Sequence, residues 1–267
     1  MITVGHLLHH LESIAPFAGQ ENYDNSGLLV GDENQNVTKV LVSLDVTMEV
    51  LEEAVAQGCE VILSHHPVIF RGLKMLTGKH FVERIVMEAI RRGINLVAMH
   101  TNLDNVLENG VNSRVADRLQ LQNTTFLAPS AKDTVPGLSL GAGLIGYLST
   151  PLSAMDFLSM VKVKMQAKVI RHTQPPDQLI SKVAICGGSG SFLLSSAQTQ
   201  GAHALVTADF KYHDFFEADG KILVVDLGHY ESEQYTIELL RDILVKKFTD
   251  LTVITTSNNT NPVRYLV

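Results

Sequence analysis

The chain has 267 residues, 45% hydrophobic and 18% charged, a balance typical of a globular protein with one large domain or two ordinary ones. Its formal net charge of −7 disfavours a nucleic-acid partner held mainly through phosphate contacts. Two cysteines, Cys59 and Cys186, provide neither a disulfide framework nor a cysteine-based zinc motif. The N-terminus lacks a signal-peptide pattern, and no stretch reaches the roughly 18 consecutive apolar residues of a membrane span. We therefore expect a soluble, cytoplasmic protein without a membrane partner.

Two segments of the chain, residues 37–65 and 180–208, match in a gapless alignment. Each copy predicts a strand, a turn, an amphipathic helix and a second strand. Gly58 and Gly201 occupy the same position in the two copies, where a glycine suits the end of the helix. Chance similarity between two strand–helix–strand units is the alternative to a duplication.

The predicted fold class is α/β, with two similar three-layer α/β lobes, mixed and largely parallel sheets, and an internal duplication. The first lobe comprises residues 1–126 and the second residues 127–228. Residues 229–267 begin with a helical pattern and are expected to pack back on the first lobe. The segment 123–140 contains Pro, Gly and Ser and is the predicted connector. A strand with the sequence GAGLIGYL follows it, and then a helix from about Ser153 with the spacing of a capping box.

Histidines and carboxylates follow several of the predicted strands. In open α/β sheets, functional groups collect beyond the carboxyl ends of parallel strands. For a single strand, polar side chains that cap the strand in solvent are the alternative interpretation. Several such strand ends together favour a functional edge. The clusters are SHH at 64–66, HTNLD at 100–104, TADFKYHD at 207–214 and GHYESE at 228–233.

The spacing within these clusters suggests metal ligands. Neighbouring side chains on a strand point to opposite faces, so His65 and His66 can hardly bind one ion together. At a strand end they could instead reach two neighbouring ions, one each. His229 and Glu233 are four residues apart at a predicted helix start, which puts both on one helical face. A surface ion pair is the alternative for this second pair.

In the HTNLD cluster, His100 ends a predicted strand and Asp104 lies in the predicted loop that follows it. Asp104 could be a ligand, or a turn or helix-capping residue. His100 could be a ligand, a residue that orients a ligand, or a buried histidine bonded to the backbone, and we favour the orienting role. Three histidine nitrogens and two carboxylates suit two divalent ions such as Zn, Fe, Mn, Co or Ni. Two such ions activate water and stabilise developing negative charge, which predicts metal-assisted hydrolysis.

Other candidates carry weaker signals. CGGSG at 186–190 resembles a phosphate-binding turn, but it lacks the full motif and a tight strand–helix turn is favoured. Asp45 occupies the equivalent turn of the first repeat and is a candidate to orient a ligand. Lys211 and His213 could contact an anionic substrate or could be surface residues. Three histidines of the N-terminal helical pattern receive no role: His6, His9 and His10.

Five motifs occur in the order found in the Nif-three-like family, also named GTP cyclohydrolase 1 type 2 homologs. They are YDNSGL, SHHP, HTNLD, TADFKYHD and GHYESE, and the resemblance runs from Tyr23 to Glu233. It implies two similar α/β lobes, a dinuclear metal site in the cleft between them, and a toroidal homohexamer built as a trimer of dimers. The short stretch 123–180 resembles the compact bacterial form. The implied ligands are the positions that the spacing selected: His65, His66, Asp104, His229 and a bridging Glu233.

Two departures from the family pattern are visible. Tyr23 replaces a common Trp, and Ala208 stands where a Gly is found in related motifs. Neither residue is a proposed ligand, so the departures concern the shape of the substrate pocket.

The residues and the resemblance together predict a metal-dependent hydrolase acting on a nucleotide-like or other small polar substrate, with GTP as the named candidate. His100 or His213 would transfer protons, and Lys211 would meet a phosphate. The alternative is a non-catalytic metal-binding ring that acts as a regulatory adaptor or a metallochaperone. Turnover by metal-loaded protein would discriminate between the two.

Overall fold

The computed structural model describes residues 1–130 and 137–266 of the chain. The elements up to residue 104 are α1 (Val4–Ile14), β1 (Gly27–Val30), β2 (Lys39–Ser43), α2 (Met48–Ala56), β3 (Val61–Ser64), α3 (Phe81–Arg92), β4 (Asn95–Ala98) and α4 (Thr101–Asp104). The later elements are α5 (Val111–Leu119), β5 (Gln122–Pro129), β6 (Gly141–Leu152), α6 (Ala154–Lys164), β7 (Arg171–His172), β8 (Ile180–Ser189), α7 (Leu194–Thr199), β9 (Ala204–Ala208), β10 (Leu223–Asp226), α8 (His229–Glu233), α9 (Thr236–Lys247) and β11 (Thr252–Thr255).

Local signals account for several helix boundaries. The hydroxyl of Thr47 accepts a hydrogen bond from the backbone of Val50 and begins α2. Ser153 begins α6 in the same way, by accepting from the backbone N–H of Asp156, as its spacing predicted. Gly93 ends α3 with φ of 66°, a left-handed conformation that glycine adopts without steric cost.

The chain folds as two compact units, each with its own sheet. The first unit contains Met1–Leu103 and Thr236–Pro262, and the second contains Asp104–Tyr235 and the residues from Val263 onward. The strand order is β1-β4-β3-β2-β11 in the first sheet and β5-β6-β8-β9-β10-β7 in the second. Both sheets mix parallel and antiparallel pairs, which confirms the predicted α/β class.

In the first unit, aliphatic side chains from neighbouring strands form a buried core against α2 and α3. Leu41, Ile62 and Leu96 of the sheet pack with Leu51 of α2 and Ile85 of α3. Burial of one such side chain contributes about 1.5–3 kcal/mol of hydrophobic stabilisation. This packing fixes the central strands, and it therefore also fixes the positions at which the residues after them leave the sheet.

The parallel strands of the first unit end level with one another. Ser43 of β2 lies opposite Ser64 of β3, and Ser64 lies opposite Ala98 of β4. The residues that follow these strands therefore leave the sheet at one edge. They include Asp45, His65, His66 and His100.

The second unit repeats this arrangement around its own sheet. Val183 of β8 packs on one face with Phe157 of α6, and Ala184 packs on the other face with Ala197 of α7. This alternation gives the predicted three layers. The strands β8, β9 and β10 run parallel and end close together in register. Residues that follow them include Gly190, Asp209 and Gly228.

The structure differs from the sequence analysis at the boundaries. The predicted lobes ended after residues 126 and 228, whereas packing divides the chain after Leu103 and after Tyr235. Residues 104–126 join the second unit because α5 packs on β8 and β5 pairs with β6. Residues 236–262 join the first unit because β11 pairs with β2.

Two local predictions were wrong. The predicted connector 123–140 begins with a strand, because residues 122–129 form β5 and pair with β6. Part of that connector, 131–136, lies outside the described residues. Asp104 was expected in a loop, but it is the last residue of the one-turn helix α4.

Within residues 1–130 and 137–266, no helix combines the length and the apolar character needed to cross a membrane.

Candidate functional site

The first unit places two imidazoles directly after β3, each held through Nδ1. The Nδ1 atom of His65 lies 2.7 Å from the carbonyl oxygen of Met99. The Nδ1 atom of His66 lies 2.7 Å from Oδ1 of Asp45. A carbonyl and a carboxylate only accept, so each ring donates from Nδ1 and leaves Nε2 as its basic nitrogen. This is the tautomer that binds a metal through Nε2.

His100 is held in the same way by Asp24. Its Nδ1 atom lies 2.7 Å from Oδ1 of Asp24, a carboxylate whose side chain is completely buried. The backbone N–H and the hydroxyl of Thr101 also donate to Asp24. Burial raises the pKa of Asp24, but the hydrogen bonds and charge of His100 and the bond from Thr101 outweigh it and hold the pKa well below its usual range. Asp24 therefore stays an anionic acceptor for His100.

The three imidazoles lie close together within the first unit. The ring centroids are 4.8 Å apart for His65 and His66, 5.2 Å for His65 and His100, and 5.4 Å for His66 and His100. One nitrogen of each ring lies within 4.8 Å of one nitrogen of the other two. His65 is fully buried, whereas His66 and His100 are partly exposed. The cluster has the composition and spacing of a group that could hold a metal ion.

In the second unit, α8 carries His229 and Glu233 on one face. The Nε2 atom of His229 lies 3.0 Å from Oε2 of Glu233, and its Nδ1 atom lies 2.7 Å from Oδ2 of Asp209. Burial lowers the pKa of His229, but the charges and hydrogen bonds of Glu233 and Asp209 raise it to about 11. Without a bound cation, this imidazole is therefore protonated between two carboxylates.

The glycines of CGGSG explain how α8 approaches the second sheet. A Cβ atom added to Gly188 would lie 2.3 Å from Oε1 of Glu233 and 3.3 Å from Cε1 of His229. Gly188 also donates its N–H to the hydroxyl of Ser232 at 2.9 Å. The favoured interpretation of CGGSG was a tight turn, but β8 continues through Ser189. Gly188 serves close packing of the proposed ligands.

Asp104 is joined to the same end of β8 through Asn112. The amide of Asn112 donates to the carbonyl of Asp104 at 3.0 Å and accepts from the N–H of Gly187 at 2.9 Å. Burial, followed by the negative charges of Asp104 and Glu233, raises the pKa of the Cys186 thiol. The second unit thus surrounds a neutral thiol with two of the predicted ligand carboxylates.

The predicted site residues therefore fall into two groups, one in each unit. His65, His66 and His100 form one group. His213 lies apart from these contacts on the surface of the second unit, with its ring 5.2 Å from that of Tyr212 and 6.3 Å from that of Phe216. The remaining predicted residues, Asp104, His229 and Glu233, belong to the second unit, where His229 contacts Glu233.

Several orienting groups were missed in the sequence. Asp24 and Asp209 lie in motifs that were recognised, YDNSGL and TADFKYHD, but neither received a role. An acidic residue in an ordered motif near a ligand histidine is the signal that could have found them. The carbonyl of Met99 is a backbone group, so no residue type in the sequence indicates that it accepts from His65. Asp45, the candidate to orient a ligand, does contact His66.

The donor set fits borderline divalent ions. Imidazoles whose rings are held through Nδ1, together with nearby carboxylates, are ligands that zinc, iron, cobalt and nickel accept. A metal-bound histidine commonly donates the N–H of its second ring nitrogen to an acceptor. This hydrogen bond fixes the ring and raises the basicity of the nitrogen that binds the metal.

A family model described as Duf34/NIF3 (NGG1p interacting factor 3) matches residues 2–262. Two similar curated proteins carry the name GTP cyclohydrolase 1 type 2 homolog. The one from Clostridium perfringens is 33% identical over 230 residues, 85% of each chain. The one from Campylobacter jejuni is 32% identical over 256 residues, 95% of this chain and 96% of that relative.

Solved structures share the fold. The Staphylococcus aureus hypothetical protein SA1388 is 31% identical, with a TM-score of 0.91 over 99% of each chain. A Bacillus cereus protein related to NIF3 is 25% identical, with a TM-score of 0.88 over 98% of this chain and 99% of that one.

Proposed function

This chain belongs to the Duf34/NIF3 family, and we propose that it is a metal-dependent hydrolase with a dinuclear centre that acts on a nucleotide-like or other small polar substrate. The name of its curated relatives makes GTP the first substrate to test. The proposed ligands are His65, His66, Asp104, His229 and Glu233.

The observation that carries the proposal is the orientation of the histidines. Each proposed ligand ring donates from Nδ1 to a fixed oxygen, which belongs to Met99 for His65, Asp45 for His66 and Asp209 for His229. An ordinary surface histidine needs no such acceptor, whereas a ligand must present Nε2 in a fixed direction.

When bound, divalent ions supply activation of water near neutral pH and stabilisation of negative charge. The protein's own residues supply position and proton transfer. Asp45 and Asp209 fix the ring planes, and Gly188 lets Glu233 lie close to β8. His100 or His213 is proposed to transfer protons, and Lys211, an exposed cation, to meet a substrate phosphate.

Turnover by purified, metal-loaded protein tests this function. We expect hydrolysis of at least one member of a panel of nucleotides and phosphoesters that includes GTP. The variants Glu233→Gln and His66→Ala should lose activity in step with bound metal, while His172→Ala, which removes an exposed histidine of β7, should keep both. Metal binding without any turnover would favour the alternative, a non-catalytic metal-binding ring that acts as an adaptor or a metallochaperone.

We also propose, from the family resemblance, that the chain assembles as a homohexamer, a toroidal trimer of dimers. Light scattering on the purified protein tests this assembly. A mass near six chains agrees with it, and a monomeric or dimeric mass contradicts it.

A further inference from the structure

We infer that Tyr212, His213 and Phe216 form an aromatic patch in the second unit that binds the base of a nucleotide by stacking. Lys211 then binds a phosphate of the same molecule. This inference rests on the proposed function in taking Lys211 as a phosphate contact. It deepens that function, because it assigns the substrate to the nucleotides rather than to other small polar molecules. Tyr212 and Phe216 received no role from the sequence.

The rings of the aromatic patch are exposed and yet contact one another. Tyr212 is 72% exposed, Phe216 is 65% exposed, and His213 is exposed as well. The ring centroid of Tyr212 lies 5.2 Å from that of His213 and 5.5 Å from that of Phe216, both in edge-to-face contact. Clustered aromatic rings that remain open to solvent are the groups on which proteins stack nucleobases.

Two other aromatic residues of the same segment anchor it to the core. Phe210 is buried and Phe215 is partly buried, and their ring centroids lie 5.2 Å apart. Both pack in the core cluster that contains Leu205 of β9. Phe215 and Phe216 are neighbours in the short 3-10 helix Asp214–Ala218. The inward rings therefore hold the segment that carries the outward ones, and little ordering is needed when a ligand binds.

The turn before this 3-10 helix is also fixed, and it carries Lys211. The backbone N–H of Lys211 donates to Oδ2 of Asp214 at 3.3 Å, and the N–H of Asp214 donates to the carbonyl of Lys211 at 3.0 Å. Within residues 1–130 and 137–266, the ammonium of Lys211 has no ion-pair partner. A ligand phosphate would supply the complementary negative charge beside the aromatic rings.

The small extent of the aromatic patch favours a small ligand over a protein partner. Its neighbours in the chain are polar, since Glu217 is exposed and Asp219 forms an ion pair with Lys221 at 2.7 Å. A stable protein interface buries about 800 Å² on each partner around an apolar centre. A few rings within a polar border instead match the size of one base.

The aromatic patch begins close to a proposed metal ligand of the same unit. The carboxylate of Asp209 accepts from Nδ1 of His229 at 2.7 Å, and Asp209 lies two residues before Lys211. Two residues of extended chain span at most about 7 Å. A nucleotide whose base lies on the patch could therefore place its phosphates near His229.

The test measures binding to the full chain, after removal of metal with a chelator so that no hydrolysis interferes. The probes are GTP, guanosine and inorganic triphosphate, with equilibrium dialysis for affinity and saturation-transfer NMR for contact. We expect GTP to bind more tightly than triphosphate, and the H8 proton of guanine to receive more saturation than the ribose 5′ protons. Lys211→Ala should weaken GTP binding several-fold and leave guanosine binding unchanged.

Variants of the rings test the stacking directly. Tyr212→Ala and Phe216→Ala should each weaken GTP binding at least about fivefold, because each removes a ring on which the base stacks. Tyr212→Phe keeps the ring and should bind GTP as the wild type does. Phe81→Ala, which removes an exposed aromatic residue of the first unit, is the matched control and should also leave binding unchanged. Circular dichroism verifies that the variants fold.

Two results would overturn the aromatic patch as a base site: equal affinity for GTP and triphosphate, or unchanged GTP binding in either folded alanine variant, Tyr212→Ala or Phe216→Ala. If the same variants kept their GTP binding but changed the molecular mass in light scattering, the rings would form an interface between copies of the chain instead.

Binding and turnover together separate this inference from the proposed hydrolase. Base-dependent binding of GTP without turnover of any nucleotide would support the aromatic patch and contradict the hydrolase. Metal-dependent turnover of phosphoesters without a base, as fast as that of GTP, would overturn the assignment to nucleotides and leave the hydrolase standing.

Discussion

The two units present their candidate ligands in different ways. In the first unit, each imidazole has its own oxygen acceptor, and the acceptors come from three separate parts of the fold. In the second unit, His229 and Glu233 lie on one short helix and contact each other at 3.0 Å. The first group is a set of separately held imidazoles, whereas the second is an ion pair with Asp209 beside it.

A candidate ligand can therefore be oriented in two ways, by a separate oxygen acceptor or by an ion pair on its own helix. In the first unit, acceptors near the strand ends fix the plane of each imidazole, so little reorganisation should accompany metal binding. An ion pair on one helix also fixes its members, but a cation must displace a proton from His229 to bind there. The first unit should therefore tolerate changes in the second, while the second depends on the close packing of α8 on β8.

The largest effect should come from Gly188→Ala. The added methyl would lie 2.3 Å from Oε1 of Glu233, so this carboxylate must move, and we expect at least a tenfold loss of affinity for one of two ions. Gly201→Ala is the matched control, because Gly201 also has a positive φ, 70°, but nothing lies within 4 Å of an added Cβ. Each substitution should lower the free energy of unfolding by about 1–2 kcal/mol, because alanine is strained at a positive φ. Equal metal affinity in the two variants would contradict this role of Gly188.

A smaller loss is expected for Asp45→Asn. The variant keeps the shape of the acceptor for His66 but removes its charge, and we expect metal affinity to fall about tenfold, the lower end of the roughly 10–100-fold range for a lost orienting group. Competition with a chelating dye measures the change. Glu53→Gln removes a carboxylate from the same unit whose hydrogen bonds go to Thr256, Ser257 and Asn258, and its metal affinity should match the wild type.

The smallest effect concerns stability and involves no metal. Partial burial raises the pKa of Glu53, but hydrogen bonds from Thr256, Ser257 and Asn258 outweigh it and hold the pKa below its ordinary value. Ionised Glu53 therefore stabilises the fold above the unfolded pKa of about 4.3, and this stabilisation is lost as the pH falls through the lower folded pKa. Ionised Glu53 adds at most about 1 kcal/mol to the free energy of unfolding, because its carboxylate is partly exposed.

Thermal unfolding of the wild type and of Glu53→Gln across this pH range checks the direction of the pH dependence. The wild type should have the higher Tm near neutral pH, and the gap should narrow towards about pH 3. A gap that widens on acidification would mean that Glu53 does not stabilise the fold in its ionised form.

Much of the fold could be predicted from periodicity. The matching segments 37–65 and 180–208 each form a strand, a helix and a parallel strand, although α7 is only six residues long. The strand β5 was mistaken for part of a connector because most of its residues are partly or fully exposed and it ends at Pro129. An edge strand of this kind lacks the buried apolar run that marks a central one.

The ligand candidates were easier to predict than the groups that orient them. Histidines after strand ends stand out by residue type and position, as His65 and His229 do. Asp24 lies 76 residues from His100 in the chain, and only the tertiary fold brings them together. The Met99 carbonyl is backbone and therefore has no sequence signature.

The central proposal is that the five candidate ligands hold two divalent ions, and the number of ions per chain tests it most directly. The measurement is metal analysis of purified protein after removal of metal, reloading at neutral pH and dialysis. We predict about two ions per chain for the wild type and about one for Glu233→Gln. Fewer than about two ions in the folded wild type, or two retained in Glu233→Gln, would contradict the account.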